Sequence, residues 1–234
     1  TKVIKSSILL KDLYLLENKT WEKDILNNWS AGEDEAKLKT TQFIEKKITN
    51  YFEKRNIPSL HNTARISPCL HFGEISPHNI ISIIEKKFGI ISEIKDISIL
   101  QFVKEIVWRE FAYNLIYHYP KTAEEPLYKK FSNFKWSQNL KNLHFWKKGL
   151  TGYPIVDAGM RELWTTGWMH NRVRMIVGSF LVKNLLSHWK YGRDWFNDCL
   201  VDADLANNTA SWQWVAGTGA DAAPYFRIFN PVKQ

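Results

Sequence analysis

Two carboxylates two residues apart, Asp202 and Asp204, are followed closely by the carboxamides Asn207 and Asn208. That is more than a loop needs for solubility. Such a set could bind a metal, but oxygen-ligand metal sites draw on more carboxylates and on the glycine of a calcium loop. It could instead bind the ribose and heterocycle edges of a cofactor. Upstream, GWMHNRVRM puts Asn171, Arg174, Met175 and Gly178 on one helical face, with Arg172 to the side. Asn and Arg on an apolar helix need partners, because an unpaired buried polar group costs about 1–3 kcal/mol. A structural ion pair with Asp202 or Asp204 is the plain reading. His170 reads as structural, since none of the seven histidines has metal-ligand spacing.

Glu105, Trp108 and Arg109 share a face at i, i+3 and i+4. They form either an ordinary Glu–Arg helix pair or a set able to stack on a base, accept from its edge and hold a phosphate. In Asn56–Ser67, NIPSLHNTARIS, hydroxyls and backbone N–H groups could cradle phosphate beside a following helix, or merely cap it. In SWQWVAGTGADAAPYFRIFNP the indoles of Trp212 and Trp214 flank Gln213. The small residues Gly217, Gly219, Ala220, Ala222 and Ala223 allow close approach to something flat. No strand precedes this Gly-x-Gly, so it is not a dinucleotide fingerprint.

The elements that must position these groups are helical. Ile44, Ile48, Tyr51 and Phe52 recur at helical spacing after Glu33. Ser76-Pro77 starts a helix that Gly89 ends. Asp96 caps a long helix with a stripe of Leu100, Val103, Val107 and Phe111, stopped by Pro120. Pro154 to Gly167 is predicted helical, as are His170 to Trp189 and Asp194 to Leu200. Glu124 to Asn142 reads as an exposed lysine-rich loop. No period-two alternation or repeat occurs, so the fold class is all-α.

Composition sets outer limits. The chain has 234 residues, 32 Lys and Arg against 24 Asp and Glu, and 11 Trp. Basic and acidic side chains number 11 and 9 in residues 1–60, 13 and 8 in 61–150, and 8 and 7 in 151–234, where six of the Trp lie. The positive charge and the tryptophans therefore have separate causes. The charge suits a polyanionic partner or plain solubility. No apolar run approaches a membrane span and no signal peptide is read, so a cytoplasmic protein is expected. Two distant cysteines give neither a disulfide framework nor a cysteine-based metal site, and no metal is expected.

GYPIVDAGMRELWTTGWMHNRVRM, DADLANNTASWQWVAGTGADAAPYFRIFNP and IVWREF together resemble the FAD-binding domain of the photolyase and cryptochrome family. The likeness is to bacterial class I cyclobutane pyrimidine dimer photolyases and runs from about Glu33 to the C-terminus. It implies an all-α domain holding a U-shaped FAD, active as reduced FADH⁻. Tyr51, the loop Thr63, Ala64, Arg65, Ile66 and Ser67, and Arg109 would bind its phosphate side. Arg174 and Asp202 would pair beside the flavin ring, with Asp204 at its N3 edge, Asn208 at N5 and Phe102 alongside. Ala64 replaces a Ser common in that loop, and Phe102 a Trp of some relatives. Glu105, Trp108, Asn171, Met175 and Trp214 would receive a flipped dimer, while Arg55, Arg172 and Arg227 meet the DNA strand. Relatives acting on (6-4) photoproducts carry histidines at the positions of Asn171 and Met175, so the cyclobutane lesion is favoured. Trp212, Trp189 and Trp136 match an electron relay, and Trp164, Trp168 and Trp195 read as packing.

The resemblance therefore implies a light-driven DNA-repair lyase whose partner is DNA containing pyrimidine dimers, acting as a monomer away from membranes. A blue-light photoreceptor without repair activity is the alternative. Residues 1–32 read as the remnant of an interdomain connector and 33–234 as a helical domain truncated at its C-terminus. A pterin or deazaflavin antenna is expected only in an N-terminal α/β domain outside this sequence.

Overall fold

A computed structural model describes residues 8–13, 24–25, 27–221 and 227–233. Most of the expected 1–32 connector lies outside them, as do Ala222 and Ala223. Ten α-helices organise the described residues: α1 Glu33–Lys46, α2 Tyr51–Lys54, α3 Ser67–His71, α4 Pro77–Phe88, α5 Ile97–His118, α6 Leu140–Lys147, α7 Pro154–Thr166, α8 Asn171–Ser179, α9 Trp189–Cys199 and α10 Leu205–Ala216. The one extended pairing among them is an isolated bridge between Ser137 and Ser187. The all-α expectation holds. No described helix is long and apolar enough to cross a membrane.

Local signals placed several boundaries. Ser76 Oγ accepts from Asn79 N–H at 3.1 Å, and Asp96 Oδ1 from Ser98 and Ile99 N–H at 2.8 and 3.2 Å. Gly167 ends α7 in the left-handed region, where glycine bears no Cβ penalty. A Cβ there would also lie 2.6 Å from Val201 Cγ1.

Other expectations are corrected. The helix expected from His170 to Trp189 stops at Ser179 and loosens into a π turn, Phe180–Asn184. Leu186 then takes a positive φ of 52°, and His188 caps a new helix by accepting Lys190 N–H on Nδ1 at 3.1 Å. That helix, α9, starts five residues before the expected Asp194. Helices α6 and α10 were not expected: α10 contains Asn-Asn-Thr, poor helix formers that tertiary burial overrides. The buried stripe of α5 is Ile99, Phe102 and Ile106, whereas Val107 and Phe111 are exposed. A helix apolar on several faces does not say which one turns inward. The segment from Glu124 is anchored: Gln213 Nε2 donates to Thr122 O and Glu125 O at 2.7 and 2.9 Å, and its Oε1 accepts Leu127 N–H at 2.9 Å.

Side chains bury into two cores. The first joins α1 to α5 around Phe43, Ile44, Ile48, Ile80, Ile84 and Phe102. The second joins α6 to α10 around Trp146, Met160, Leu163, Ile176, Trp189 and Trp212. Polar groups from both halves meet where the cores adjoin.

Candidate functional site at the seam of the two cores

The loop from α9 to α10 carries Asp202 and Asp204, both buried. Val201 N–H donates to Gly167 O at 2.9 Å and fixes the loop against the end of α7. Asp202 Oδ2 accepts from Ser67 Oγ at 2.6 Å and from Arg174 Nη2 at 2.9 Å. Arg174 is itself aimed by its Nε, which donates to Met169 O at 2.7 Å. The expected Arg174–Asp202 pair is therefore formed, and Ser67 joins it from the first core.

Asp204 caps α10, its Oδ1 accepting from Asn207 N–H and Asn207 Nδ2 at 2.8 and 2.7 Å. Its Oδ2 accepts from the Tyr113 hydroxyl and faces His71 Nδ1 at 3.3 Å and Arg109 Nη1 at 3.6 Å. Burial pushes this carboxyl up, but the hydrogen bonds from Asn207, Tyr113 and His71 outweigh it and hold it below its ordinary value. Asp204 is thus an ionised acceptor ringed by donors. Tyr113 and His71 were not foreseen, although Tyr113 lies one turn from Arg109 on the same face, a signal the spacing offered.

On α5 the Glu105–Arg109 pairing, one of the two readings that the spacing allowed, does not form. Arg109 turns to Asp204, Leu70 O (3.3 Å) and the Tyr113 hydroxyl (2.9 Å). Glu105 instead binds Arg55 at 2.6 Å and accepts from Gln101 at 2.7 Å. One turn on, Trp108 is half exposed, edge-on to Phe111 at 5.5 Å between ring centroids.

His170 caps α8, its Nδ1 accepting Arg172 N–H at 3.1 Å, so the proton of the neutral ring sits on Nε2. Burial, then Arg172, Arg174 and Arg55, keep its pKa below the ordinary value. Arg172 is lowered by burial and by Arg55. These cations lie close enough to feel one another. His170 Nε2 and Asp202 Oδ1 are buried with no hydrogen-bond partner among the described residues. A cluster of arginines, two of them already paired with Asp202 and Glu105, together with one orphan donor and one orphan acceptor, suits a ligand that is both anionic and a polar heterocycle, which FAD is. Asn171 is exposed at the start of α8, with Nδ2 3.9 Å from Met175 Sδ.

Other expected cofactor residues take packing roles. Tyr51 and Phe102 belong to the first core, 5.5 Å apart, each against Phe43. Burial, then Glu105, raises the Tyr51 phenol to about 12, so it keeps its proton. Ile66 is buried, and Ala64 packs on the first core. The Arg65 guanidinium lies over the rings of Trp168 and Trp29 at 4.4 and 5.1 Å, so its side chain is committed to those rings and only its backbone remains for a phosphate. Asn208 Nδ2 donates to Arg193 O and Asn197 Oδ1 at 2.9 and 2.6 Å. That leaves its side-chain carbonyl without a hydrogen bond among the described residues. Trp214 is half buried beside Phe229 at 6.2 Å, and Arg227 is exposed.

Of the relay tryptophans, Trp212 and Trp189 are fully buried and Trp136 is half buried. Trp212 packs directly on Gly192 of α9, where a Cβ would lie 2.1 Å from its ring. His188 stands between the other two, 5.2 Å from Trp136 and 5.6 Å from Trp189. The Trp136 end opens to a surface groove lined by Phe134, Lys135, His188 and Tyr191. Trp146, unnoticed in the sequence, packs 6.2 Å from Trp212 and donates from Nε1 to Val177 O at 3.1 Å. Trp164 and Trp195 stack at 5.8 Å, with Trp164 half exposed.

Comparison with known proteins sets this geometry in context. Residues 102–234 match the model of the FAD binding domain of DNA photolyase. A deoxyribodipyrimidine photo-lyase of Agrobacterium fabrum is 48% identical over 234 residues, covering 100% of this chain and 48% of that protein. A crystal structure described as a bacterial class III photolyase from Agrobacterium tumefaciens superposes with a TM-score of 0.91 at 48% identity, covering 99% of this chain and 48% of that one. A cryptochrome from Synechocystis superposes with a TM-score of 0.77 at 33% identity, covering 86% of this chain and 42% of that one. The chain thus spans about half the length of the relatives it matches. The sequence resemblance pointed to class I, whereas this solved relative is of class III.

Proposed function

The chain belongs to the DNA photolyase family through its FAD-binding domain, and from that premise we propose that it holds FAD at the seam of the two cores and uses it for light-driven repair of cyclobutane pyrimidine dimers in DNA. The observation that carries the reading is the pair of orphaned buried atoms, Asp202 Oδ1 and His170 Nε2, inside a lining of mutually close arginines. Reduced FAD, when bound, supplies a light-excitable electron donor.

The chain's own residues hold, orient and shield. Ser67 and Arg174 fix the Asp202 carboxylate, leaving Oδ1 to accept from the ligand. Asp204, kept ionised by its donors, offers a second acceptor, and the free carbonyl of Asn208 a third. Arg109, Tyr51 and the backbone of Thr63, Ala64, Arg65, Ile66 and Ser67 would face the phosphates, with Phe102 supporting them from the first core. For DNA, the half-exposed Trp108 would give a stacking surface to an extruded base, and Trp214 a second aromatic contact. Glu105 and Asn171 offer hydrogen bonds to base edges, and Met175 a soft apolar contact. Arg55, Arg172 and Arg227 would attract the strand, so affinity should fall with salt. Trp212, Trp189 and Trp136 form a route of readily oxidised rings between seam and surface.

A second reading, a photoreceptor without repair, draws on the likeness to a cryptochrome. The purified chain is checked for bound flavin, reduced, and followed for thymine-dimer loss under blue light and in darkness. Loss in light alone supports the lyase. Flavin without repair favours the receptor, and absence of flavin sinks both. Trp212→Phe should slow photoreduction of oxidised flavin and leave repair by pre-reduced protein nearly intact; equal loss of both would remove Trp212 from the relay.

A further inference from the structure

Arg65 has a positive φ of 52°, a backbone state that non-glycine residues rarely adopt. Such a state persists only where the surroundings over-determine it. Here they do. Ala64 rests on the first core, Ile66 is buried, and Ser67 is tied to Asp202. On the other side the Arg65 guanidinium lies over Trp168 at 4.4 Å and Trp29 at 5.1 Å. Trp29 precedes α1 and is itself anchored, its Nε1 donating to Thr166 O at 2.8 Å. Trp168 stands two residues before His170, and Ser67 two residues after Arg65. Half-buried Glu162 adds a carboxylate near the guanidinium.

We propose that Trp29, Arg65 and Trp168 form a clamp that holds the 63–67 loop in its ligand-presenting conformation, making Trp29 a positioning residue for the cofactor. The inference rests on the FAD reading for its ligand, but the clamp itself is a property of the polypeptide. Two cation–π contacts joining three chain segments preorganise the loop before any ligand arrives. Arg65 acts through its backbone, and its side chain is the handle by which the indoles hold that backbone.

The test titrates apoprotein of the full chain with FAD by equilibrium dialysis and follows backbone amide exchange in residues 63–67. Trp29→Ala should weaken FAD binding about fivefold, the scale of one lost cation–π contact, and speed exchange in the loop. Trp29→Phe keeps a ring and should stay within about threefold of the original. Arg65→Gly tolerates the left-handed backbone and should bind better than Arg65→Ala, which has neither handle nor freedom. Unchanged affinity and exchange in Trp29→Ala, or Arg65→Ala binding as well as Arg65→Gly, would overturn the clamp. If the unsubstituted chain takes up no FAD, the cofactor reading fails; loop exchange in Trp29→Ala then decides the clamp alone, an unchanged rate refuting it.

Discussion

The two cores differ in kind. The first, under α1 to α5, is mostly isoleucine and phenylalanine and buries no tryptophan among its described residues. The second, under α6 to α10, is built around Trp146, Trp189 and Trp212. Isoleucine fills a shape. Tryptophan does so too, but also supplies oxidisable rings and an N–H that needs a partner. The proposed relay therefore lies wholly in the second core, and the first contributes scaffold and the hydroxyl, phenol and arginine groups of the seam. A cofactor held between them would have electronic neighbours on one side and positioning neighbours on the other.

The comparison can be broken at several points. The largest effect is expected for Trp146→Ala, which empties a fully buried site and removes one of the two donors to Val177 O: about 4 kcal/mol of stability by denaturant unfolding. Ile80→Ala in the first core should cost less, about 3 kcal/mol, and leave flavin photoreduction intact. If it abolishes photoreduction in folded protein, the division of labour is wrong. Arg174→Ala leaves buried Asp202 with only Ser67 and should cost about 3 kcal/mol, with loss of flavin seen in the absorption spectrum. Gly192→Ala forces the Trp212 ring aside, for about 2 kcal/mol. Its photoreduction should fall further than its melting temperature implies.

The pH dependence is smaller. His170 and His188 both titrate below the ordinary value of 6.5, chiefly through burial. The unfolded chain therefore binds protons that the folded one refuses. Their contribution is complete above pH 6.5 and disappears as pH falls through their folded values. Thermal melts from pH 8 to pH 5 should show this, and His170→Asn should flatten the slope. The smallest effect belongs to exposed Glu124, which pairs with Lys190 and with buried Arg193: because Arg193 keeps Asp194 Oδ1 at 2.7 Å, Glu124→Gln should cost under about 0.5 kcal/mol, vanishing in high salt.

Legibility tracked the range of the interaction that decides each feature. Helix starts at Ser76, Asp96 and Pro154 and the stops at Gly89 and Gly167 were readable because a cap involves three or four neighbouring residues. The π turn after Ser179, the fresh start at Trp189 and the whole of α10 were not. Their local propensities are weak, and burial of Trp189 in the second core and of Trp212 against Gly192 of α9 imposes them. The partner of Glu105 was left open by the sequence for the same reason. Helical spacing offered Arg109 at i+4, but Arg55, brought in by α2, reaches it first.

By its own pattern the chain determined an all-α fold, most helix boundaries and the identity of the polar motifs around Asp202 and Asp204, because these depend on composition and short spacings. Only the tertiary structure decided who meets whom. It brought Ser67 to Asp202, Tyr113 and His71 to Asp204, Arg55 to Glu105, His188 between two indoles and Trp29 onto Arg65. Those contacts cross tens of residues, and a chain commits to them only when burying two separate cores makes the closure of such long loops favourable.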